Sequence, residues 1–176
     1  MAFPTQPAFV VHGDMDERTA KHPGMKFLEA VKSDFDQRNW DPKYYAPDFT
    51  WVAPNGQVTE GRDKALEVIK AQYMPLTAHW HEPFYQVCTE TGYGYELLGS
   101  ATMWANLAGE PAAGETKKHD KNGRAWDLAG PGGFRFHVVK HGDGFLLKRM
   151  EVTADSGPVV MAMIRRGMLS AQDLGL

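Results

Sequence analysis

Two amphipathic helices with a short strand between them are predicted in residues 24–73. The strand, residues 49–53, has a β-type composition and ends at a Pro-Asn-Gly turn. From residue 76 onwards the pattern changes to long strands that are separated by turns. We therefore expect an α+β fold in which the two helices pack against a curved antiparallel sheet. The apolar side chains that recur at the 3.6-residue period are Phe27, Leu28, Val31 and Phe35 in the first helix, and Leu66, Ile69 and Tyr73 in the second.

Four strands and a final helix are predicted in the second half of the chain. A β-bulge is expected to bend the third strand at residues 130–133 (Gly-Pro-Gly-Gly). The final helix spans residues 158–168. We expect residues 1–22 to form an N-terminal arm, residues 23–176 a single domain, and residues 108–123 a flexible hairpin loop. The four strands span residues 77–89, 93–107, 124–141 and 145–154.

Composition limits the classes of function. The 176 residues suffice for one domain with a core and a cavity, and the formal net charge is −3. Because no face rich in Lys and Arg is visible, we expect no nucleic-acid partner. The N-terminus lacks a secretory signal, no apolar run is long enough to cross a bilayer, and Cys88 is the only cysteine. These features predict a cytoplasmic protein with no membrane partner.

The order of helix, turn, short strand, "EGRDKA" helix and long strands resembles the nuclear transport factor 2-like superfamily, in particular its SnoaL-like members. These members include polyketide cyclases, ketosteroid isomerases and scytalone dehydratases, and the resemblance covers residues 25–169. It implies a cone-shaped α+β barrel, in which a curved antiparallel sheet wraps around the N-terminal helices and a short helix ends the chain. It also implies a small-molecule pocket inside the cone, a homodimer formed through the outer sheet face, and chemistry without a cofactor or a metal.

The last strand carries the first candidate pair, Arg149 and Glu151. Alternate residues of a strand face opposite sides, and the resemblance implies that these two side chains point into the cone. Limonene epoxide hydrolases of the superfamily have a catalytic carboxylate at the position that Glu151 takes. A carboxylate in an apolar cone suits a general acid or base. A structural salt bridge between the two residues, or the opposite orientation of the strand, is the alternative.

His79 and His81 are the clearest histidine signal, because two residues at i and i+2 of a strand share a face. With a nearby carboxylate they could form an acid–base site, as strand histidines do in the scytalone dehydratase branch that the chain resembles. A metal site would need a third ligand, such as His137 or Glu151. If Trp80 points inward instead, both histidines lie on the outer face of the sheet and have no catalytic role.

Further candidates come from the helices and from the other strands. Arg38 could stabilise an oxyanion or cap the first helix, and Tyr73 could donate to a carbonyl or pack in the core. SnoaL-like cyclases use a strand aspartate as base, which points to Asp127. The ketosteroid isomerase base would fall near Ala53, where no acid is present. The candidate substrate-binding residues, which could equally be core, are Trp51, Trp104, Asn106, Phe134 and Phe136.

These observations lead to two hypotheses. The first is a cofactor-independent acid–base enzyme, an isomerase, dehydratase or cyclase, that acts on an apolar oxygenated small molecule such as a polyketide, terpenoid or alkaloid intermediate. The second is a non-catalytic module of the same fold that binds a small molecule or dimerises. An enzyme requires at least two polar groups that converge on one cavity.

Overall fold

Helices α2 (Pro23–Asp36) and α3 (Arg62–Tyr73) lie against one face of a large sheet, as their apolar stripes predict. The computed structural model describes residues 7–170 and residue 172. Pro23 starts α2 at a position where a missing N–H has no cost. The side chains that the two helices bury are Met25, Leu28, Val31 and Phe35 in α2, and Ala65, Leu66 and Ile69 in α3.

The main sheet has seven strands and is curved and unclosed, so the α+β cone predicted from the sequence is confirmed. The strands are β1 (Ala8–His12), β2 (Tyr45–Val52), β3 (Val58–Glu60), β4 (Leu76–Thr91), β5 (Gly94–Leu107), β8 (Leu128–His141) and β9 (Gly144–Ala154). Their order in the sheet is β1-β4-β5-β8-β9-β2-β3, and within the described residues only the β2–β9 pair is parallel. The remaining elements are α1 (Glu17–Ala20), a 3-10 turn (Pro42–Tyr44), the hairpin of β6 (Lys118–His119) with β7 (Ala125–Trp126), and α4 (Gly157–Arg165).

Two apolar clusters fill the inner side of the sheet. The larger cluster joins α2 and α3 to the sheet and contains the fully buried Phe49 and Trp51. The smaller cluster lies where α4 packs on β4 and β5, through Ala162. Tyr73 and Met103 border this smaller cluster, so α4 covers the part of the inner face that lies beside the end of α3.

The prediction of a β-bulge at residues 130–133 is wrong. The pairing of β8 with β5 runs without interruption through this segment. The irregularity lies further along, between β8 and β9, where His137 pairs with Arg149 but the next residue, Val138, pairs with Leu147. Lys148 is therefore the extra residue of a bulge, and an extra residue inverts the faces of everything that follows it.

The predicted N-terminal arm contributes a strand and a helical turn, because β1 pairs with β4 from Ala8 opposite Thr89 to His12 opposite Tyr85. Its first six residues lie outside the described part of the chain. The segment 108–123 contains β6, and Glu115 and Lys117 link it by ion pairs to the residues that follow β7 and α4. Among the helices of residues 7–170, none is long and apolar enough to cross a membrane.

Candidate active site

His79 and His81 lie on the face of β4 that packs against the C-terminal end of α2. Their ring centroids are 5.5 Å apart, so the spacing of the two residues does place them side by side. The Phe35 ring contacts both imidazoles edge-on, at centroid distances of 5.6 and 5.7 Å. Both histidines therefore occupy the inner face, and the alternative in which Trp80 points inward is wrong.

Asp36, the last residue of α2, orients His81. Its Oδ1 accepts a hydrogen bond from the His81 ring Nδ1 at 2.6 Å and a second from the His81 backbone N–H at 3.2 Å. The Asp36 side chain is 3% exposed. Because a carboxylate can only accept, Nδ1 carries a proton, and the neutral form of this ring has its lone pair on Nε2. This carboxylate–imidazole pair is the arrangement that holds a histidine as a general base.

Tyr73, the last residue of α3, lies at the other side of the His81 ring. Its hydroxyl is 3.3 Å from His81 Nε2, and its ring is 4.7 Å from that of His79. Burial raises the pKa of the Tyr73 hydroxyl, and the nearby Asp36 carboxylate raises it further. The hydroxyl thus stays protonated at neutral pH and can donate a hydrogen bond.

His79 is held as a neutral imidazole. Its Nε2 donates to the Phe35 carbonyl oxygen at 2.9 Å, which leaves the lone pair on Nδ1. Among the described residues, this buried Nδ1 has no hydrogen-bond partner. Burial lowers the pKa of His79 to about 4, and the neighbouring His81 acts in the same direction.

Asp36, His79 and His81 are also the residues that could hold a metal ion, because their donor atoms lie within 4.8 Å of one another. Two cations are already close to this group. The Lys32 ammonium is 3.4 Å from Asp36 Oδ2, and the charge of Arg38 helps to lower the pKa of His79. These positive charges disfavour a divalent ion, so the arrangement suits proton transfer better than metal binding.

Glu151 and Arg149 do not belong to this cluster, and the predicted orientation of their strand is wrong. The bulge at Lys148 turns Met150 into the core, so both charged residues point to the outer face. There Arg149 forms an ion pair with Glu151, which lies opposite Arg135 on the neighbouring strand. The structure therefore has the alternative arrangement, a structural salt bridge between Arg149 and Glu151.

Asp127, Trp104 and Asn106 also lie away from the histidines. Asp127 accepts hydrogen bonds from Lys117 at 2.6 Å and from the backbone of Leu107 at 2.8 Å. Trp104 is on the face of β5 opposite the buried Ala105, and its indole N–H donates to Glu82. The Asn106 amide oxygen accepts from the backbone N–H of Asp127. The three residues organise the outer face and the loop beside it.

The other aromatic candidates lie on the inner side of the sheet. Trp51 is 2% exposed and sits in the larger apolar cluster. Phe134 and Phe136 stack on each other with centroids 4.9 Å apart, and Phe136 packs against the same cluster. A role in substrate binding stays a prediction for these three residues.

Asp36 is the member of the histidine cluster that sequence reasoning missed. Its signal is its position: it follows Leu28 by eight residues, on the stripe that the α2 helix buries. A carboxylate at such a position, facing two strand histidines, marks a buried polar cluster.

A surface groove of about 550 Å³ lies elsewhere on the sheet. It spans the row from Phe84 through Ser100 and Gly133 to Thr153, and none of its lining residues belongs to the histidine cluster. The cluster itself is closed by the packing of Phe35, Tyr73 and the two imidazoles, although 23% of the His81 side chain remains exposed.

Comparison by sequence finds no matching family model and no matching protein of curated function. Comparison by structure finds matches over most of the chain. A candidate scytalone dehydratase from Novosphingobium aromaticivorans is 12% identical with a TM-score of 0.58, over 75% of this chain and 81% of that one. The hexachlorocyclohexane dehydrochlorinase LinA-type3 from Novosphingobium barchaimii is 8% identical with a TM-score of 0.57, over 76% and 84%.

A protein of unknown function with a cystatin-like fold, from Nostoc punctiforme, matches with a TM-score of 0.57 and 11% identity, over 82% of this chain and 96% of its own. Identities this low show a common fold and leave the reaction open. The protein thus shares the curved α+β cone fold of these structures, as its element order indicates.

Proposed function

Starting from the superfamily's cone fold, we propose that this protein is a cofactor-independent acid–base enzyme of the lyase or isomerase type. The observation that carries the proposal is the Asp36–His81–Tyr73 chain, in which a buried carboxylate, an imidazole and a phenol follow one another at 2.6 and 3.3 Å. Two of the structurally similar proteins are named as a dehydratase and a dehydrochlorinase, and both names denote eliminations. The substrate class is an apolar oxygenated small molecule.

In the proposed reaction, His81 Nε2 removes a proton from a carbon next to a carbonyl group. The electron pair of that C–H bond becomes the new C=C bond, and the Tyr73 hydroxyl donates to the carbonyl oxygen where negative charge develops. Asp36 stabilises the imidazolium that forms. In a dehydration, the enolate oxygen re-forms the carbonyl and the enolate double bond moves to the α and β carbons. The β-hydroxyl then leaves with the C–O electron pair and takes the proton from His81, which releases water. In an isomerisation, His81 returns the proton to another carbon.

Deuterium incorporation tests the first step before any product is known. The protein is incubated in D₂O with a panel of fused aromatic ketones and β-hydroxyketones, and mass spectrometry detects exchange of the acidic C–H. We expect at least one member to exchange, and the H81Q variant to lose about 100-fold or more of the rate. The Y73F variant should lose about 100-fold, because one donor to the developing oxyanion is removed.

Glu151→Gln is the matched control, since Glu151 is a strand carboxylate on the outer face. We expect its exchange rate to equal that of the wild type. A chelator such as EDTA should also leave the rate unchanged; loss of activity with EDTA and recovery with Zn²⁺ would replace the acid–base proposal by a metal-dependent one. Exchange that survives H81Q would contradict the role given to His81.

The closed packing of the histidine cluster favours a second candidate, a non-catalytic small-molecule-binding module. The groove along Ser100, Gly133 and Thr153 is open, and it lacks a titratable pair. Ligand-detected NMR with the same ketone panel separates the two functions: binding without any exchange of deuterium supports the module.

The outer sheet face supports the proposal of a homodimer. Leu98 is 54% exposed and belongs to a row that crosses three strands. In this row Val10 of β1 pairs with Val87 of β4, and Val87 pairs with Leu98 of β5. Arg135, which pairs with Leu98 on the next strand, forms an ion pair with Glu96. An apolar row flanked by charge pairs suits a two-fold interface between two copies of this face.

A further inference from the structure

Arg38 has a backbone conformation that side-chain-bearing residues rarely adopt. Its φ angle is +61°, and within residues 7–170 and 172 no other non-glycine residue has a positive φ. Arg38 follows the C-cap of α2, where the Asn39 N–H donates to the Asp34 carbonyl at 2.8 Å and the Arg38 N–H donates to the Phe35 carbonyl at 2.9 Å. This pair of bonds is the Schellman motif, whose left-handed position glycine normally occupies.

The Arg38 side chain reaches the strand that carries the histidines. Its Nη1 donates to the carbonyl oxygen of Leu76, the first residue of β4. The guanidinium also lies over the Trp40 ring, 5.7 Å from its centroid. One residue therefore ties the end of α2, where Asp36 lies, to the beginning of the strand that presents His79 and His81.

The Phe35 carbonyl connects the same turn to the second histidine. This oxygen accepts both the Arg38 N–H and the His79 Nε2–H, each at 2.9 Å. A carbonyl oxygen has two lone pairs, so the turn at Arg38 and the ring of His79 together saturate it. The left-handed turn consequently sets the direction of the acceptor that holds the tautomer of His79.

From these contacts we propose that Arg38 is a positioning residue, which sets the Asp36–His81 hydrogen bond by clamping the end of α2 to β4. A glycine would relieve the backbone strain, yet it would remove the clamp. Arg38 touches neither imidazole by a hydrogen bond of its own, so it acts through the placement of Asp36. Its effect on turnover rests on the proposed function, whereas its effect on the hydrogen bond does not.

The R38G variant separates this role from that of a simple helix cap. If Arg38 only ends the helix, the R38G variant should keep both the fold and the Asp36–His81 hydrogen bond of the wild type. If Arg38 clamps the site, R38G should melt within a few degrees of the wild type while the His81 Nδ1 proton exchanges with water about tenfold faster or more. That proton is observed as a downfield NMR resonance, which the D36N variant assigns by shifting it upfield, because an amide oxygen is a weaker acceptor than a carboxylate. R38K keeps a donor for Leu76 and should restore slow exchange in part.

An unchanged exchange rate in R38G overturns the proposal. Should R38G fail to fold, R38A decides in the same way, because it also removes the guanidinium; slow exchange in R38A overturns the proposal and fast exchange supports it. The resonance is measured without substrate, so a failure of the acid–base proposal in the deuterium test leaves this result unaffected. Where turnover is found, R38G should lower kcat about tenfold with KM little changed, because Arg38 acts on geometry and not on substrate binding.

Discussion

His79 and His81 are two residues apart, yet their surroundings give them different properties. His81 is partly exposed and is oriented by a carboxylate, as the proposed general base requires. His79 is 3% exposed, donates to a backbone carbonyl, and has a pKa that burial lowers to about 4. His79 is therefore a fixed neutral imidazole beside His81, and we expect its protonation to affect the stability of the fold.

Acid should destabilise the fold through His79 in a defined pH window. Its folded pKa of about 4 lies below the ordinary value of 6.5, so the unfolded chain binds the extra proton between these values. The free energy of unfolding should fall as the pH drops from about 6.5 to about 4, by on the order of 3 kcal/mol. Urea titrations across this range measure the slope, and the H79Q variant should flatten it.

The buried aspartates supply the internal control for that experiment. Burial alone raises the pKa of Asp120, but hydrogen bonds from Trp126 and Arg124 outweigh burial and lower it to about 2. Asp127 likewise has a pKa of about 2, through Arg166 and Lys117, although burial opposes the shift. Their stabilisation is lost only below about pH 3.8, in the wild type and in H79Q alike. Equal slopes of the two proteins between pH 6.5 and 4 would contradict the role of His79.

The sequence predicted the histidine pair but not its carboxylate partner. The i, i+2 rule needs only local strand geometry, and β4 has no register irregularity between His79 and His81. Glu151 was assigned to the wrong face because one extra residue, Lys148, reverses the alternation of β9. Nothing in the local sequence marks that bulge, since it arises from the pairing with β8.

Helix α4 is anchored by ion pairs at its C-terminal end. Arg166, the residue that caps α4, pairs with Asp127 at 2.9 Å and with Glu115 at 2.6 Å, and its side chain is 2% exposed. The same guanidinium also reaches the carbonyl oxygens of Leu107 and Gly109. This network joins α4, the segment 108–123 and the start of β8, and the helix in turn covers the inner face next to Tyr73.

Removal of the Arg166 guanidinium should destabilise the protein substantially. The R166A variant leaves the Asp127 carboxylate buried with Lys117 as its remaining cation, which should cost about 3 kcal/mol. The matched control is R165A, because Arg165 is exposed and should change stability by about 0.5 kcal/mol or less. Chemical denaturation measures both variants, and equal effects would show that the network contributes little.

The elements themselves were largely predictable, because their signals are local. The stripe of Leu28, Val31 and Phe35 predicted α2, and the arrangement of turns predicted β4, β5 and β9 within a few residues. The break of the third predicted strand into β7 and β8 was not predicted, since it depends on the hydrogen bonds that Asp127 receives from Leu107 and Lys117. Leu107 is 20 residues and Lys117 is 10 residues away from Asp127 in sequence.

At the scale of the whole molecule, the sheet has two different faces. Its inner face is filled by α2, α3 and α4, while no helix packs over the exposed row of Val10 and Leu98 among the described residues. Tyr85 and Tyr93 extend this exposed surface. The inner face accordingly supplies stability and the candidate site, and the outer face carries the row that the proposed dimer would bury.

Replacement of Leu98 by lysine should disrupt the proposed dimer. Two facing copies of the outer sheet would bring two positive charges into an apolar row, so we expect L98K to be monomeric at concentrations where the wild type is dimeric. Sedimentation velocity measures the masses. The control is K140E on the same strand as Arg135, an exposed change of charge away from the row, which should stay dimeric. A monomeric wild type would end the proposal.

The backbone bond from His81 to Asp36 has a consequence for how the protein behaves during production. Strand β1 pairs with β4 only from Tyr85 to Thr89, so among the described residues no strand pairs with segment 76–83 on that side of β4. Open edges attract strands of other chains, and the Asp36 carboxylate occupies one of the N–H groups that such a strand would use. An alanine at position 36 would therefore favour insoluble aggregates. Asparagine still accepts a hydrogen bond from that N–H, so we expect the D36N variant to remain soluble enough for activity assays.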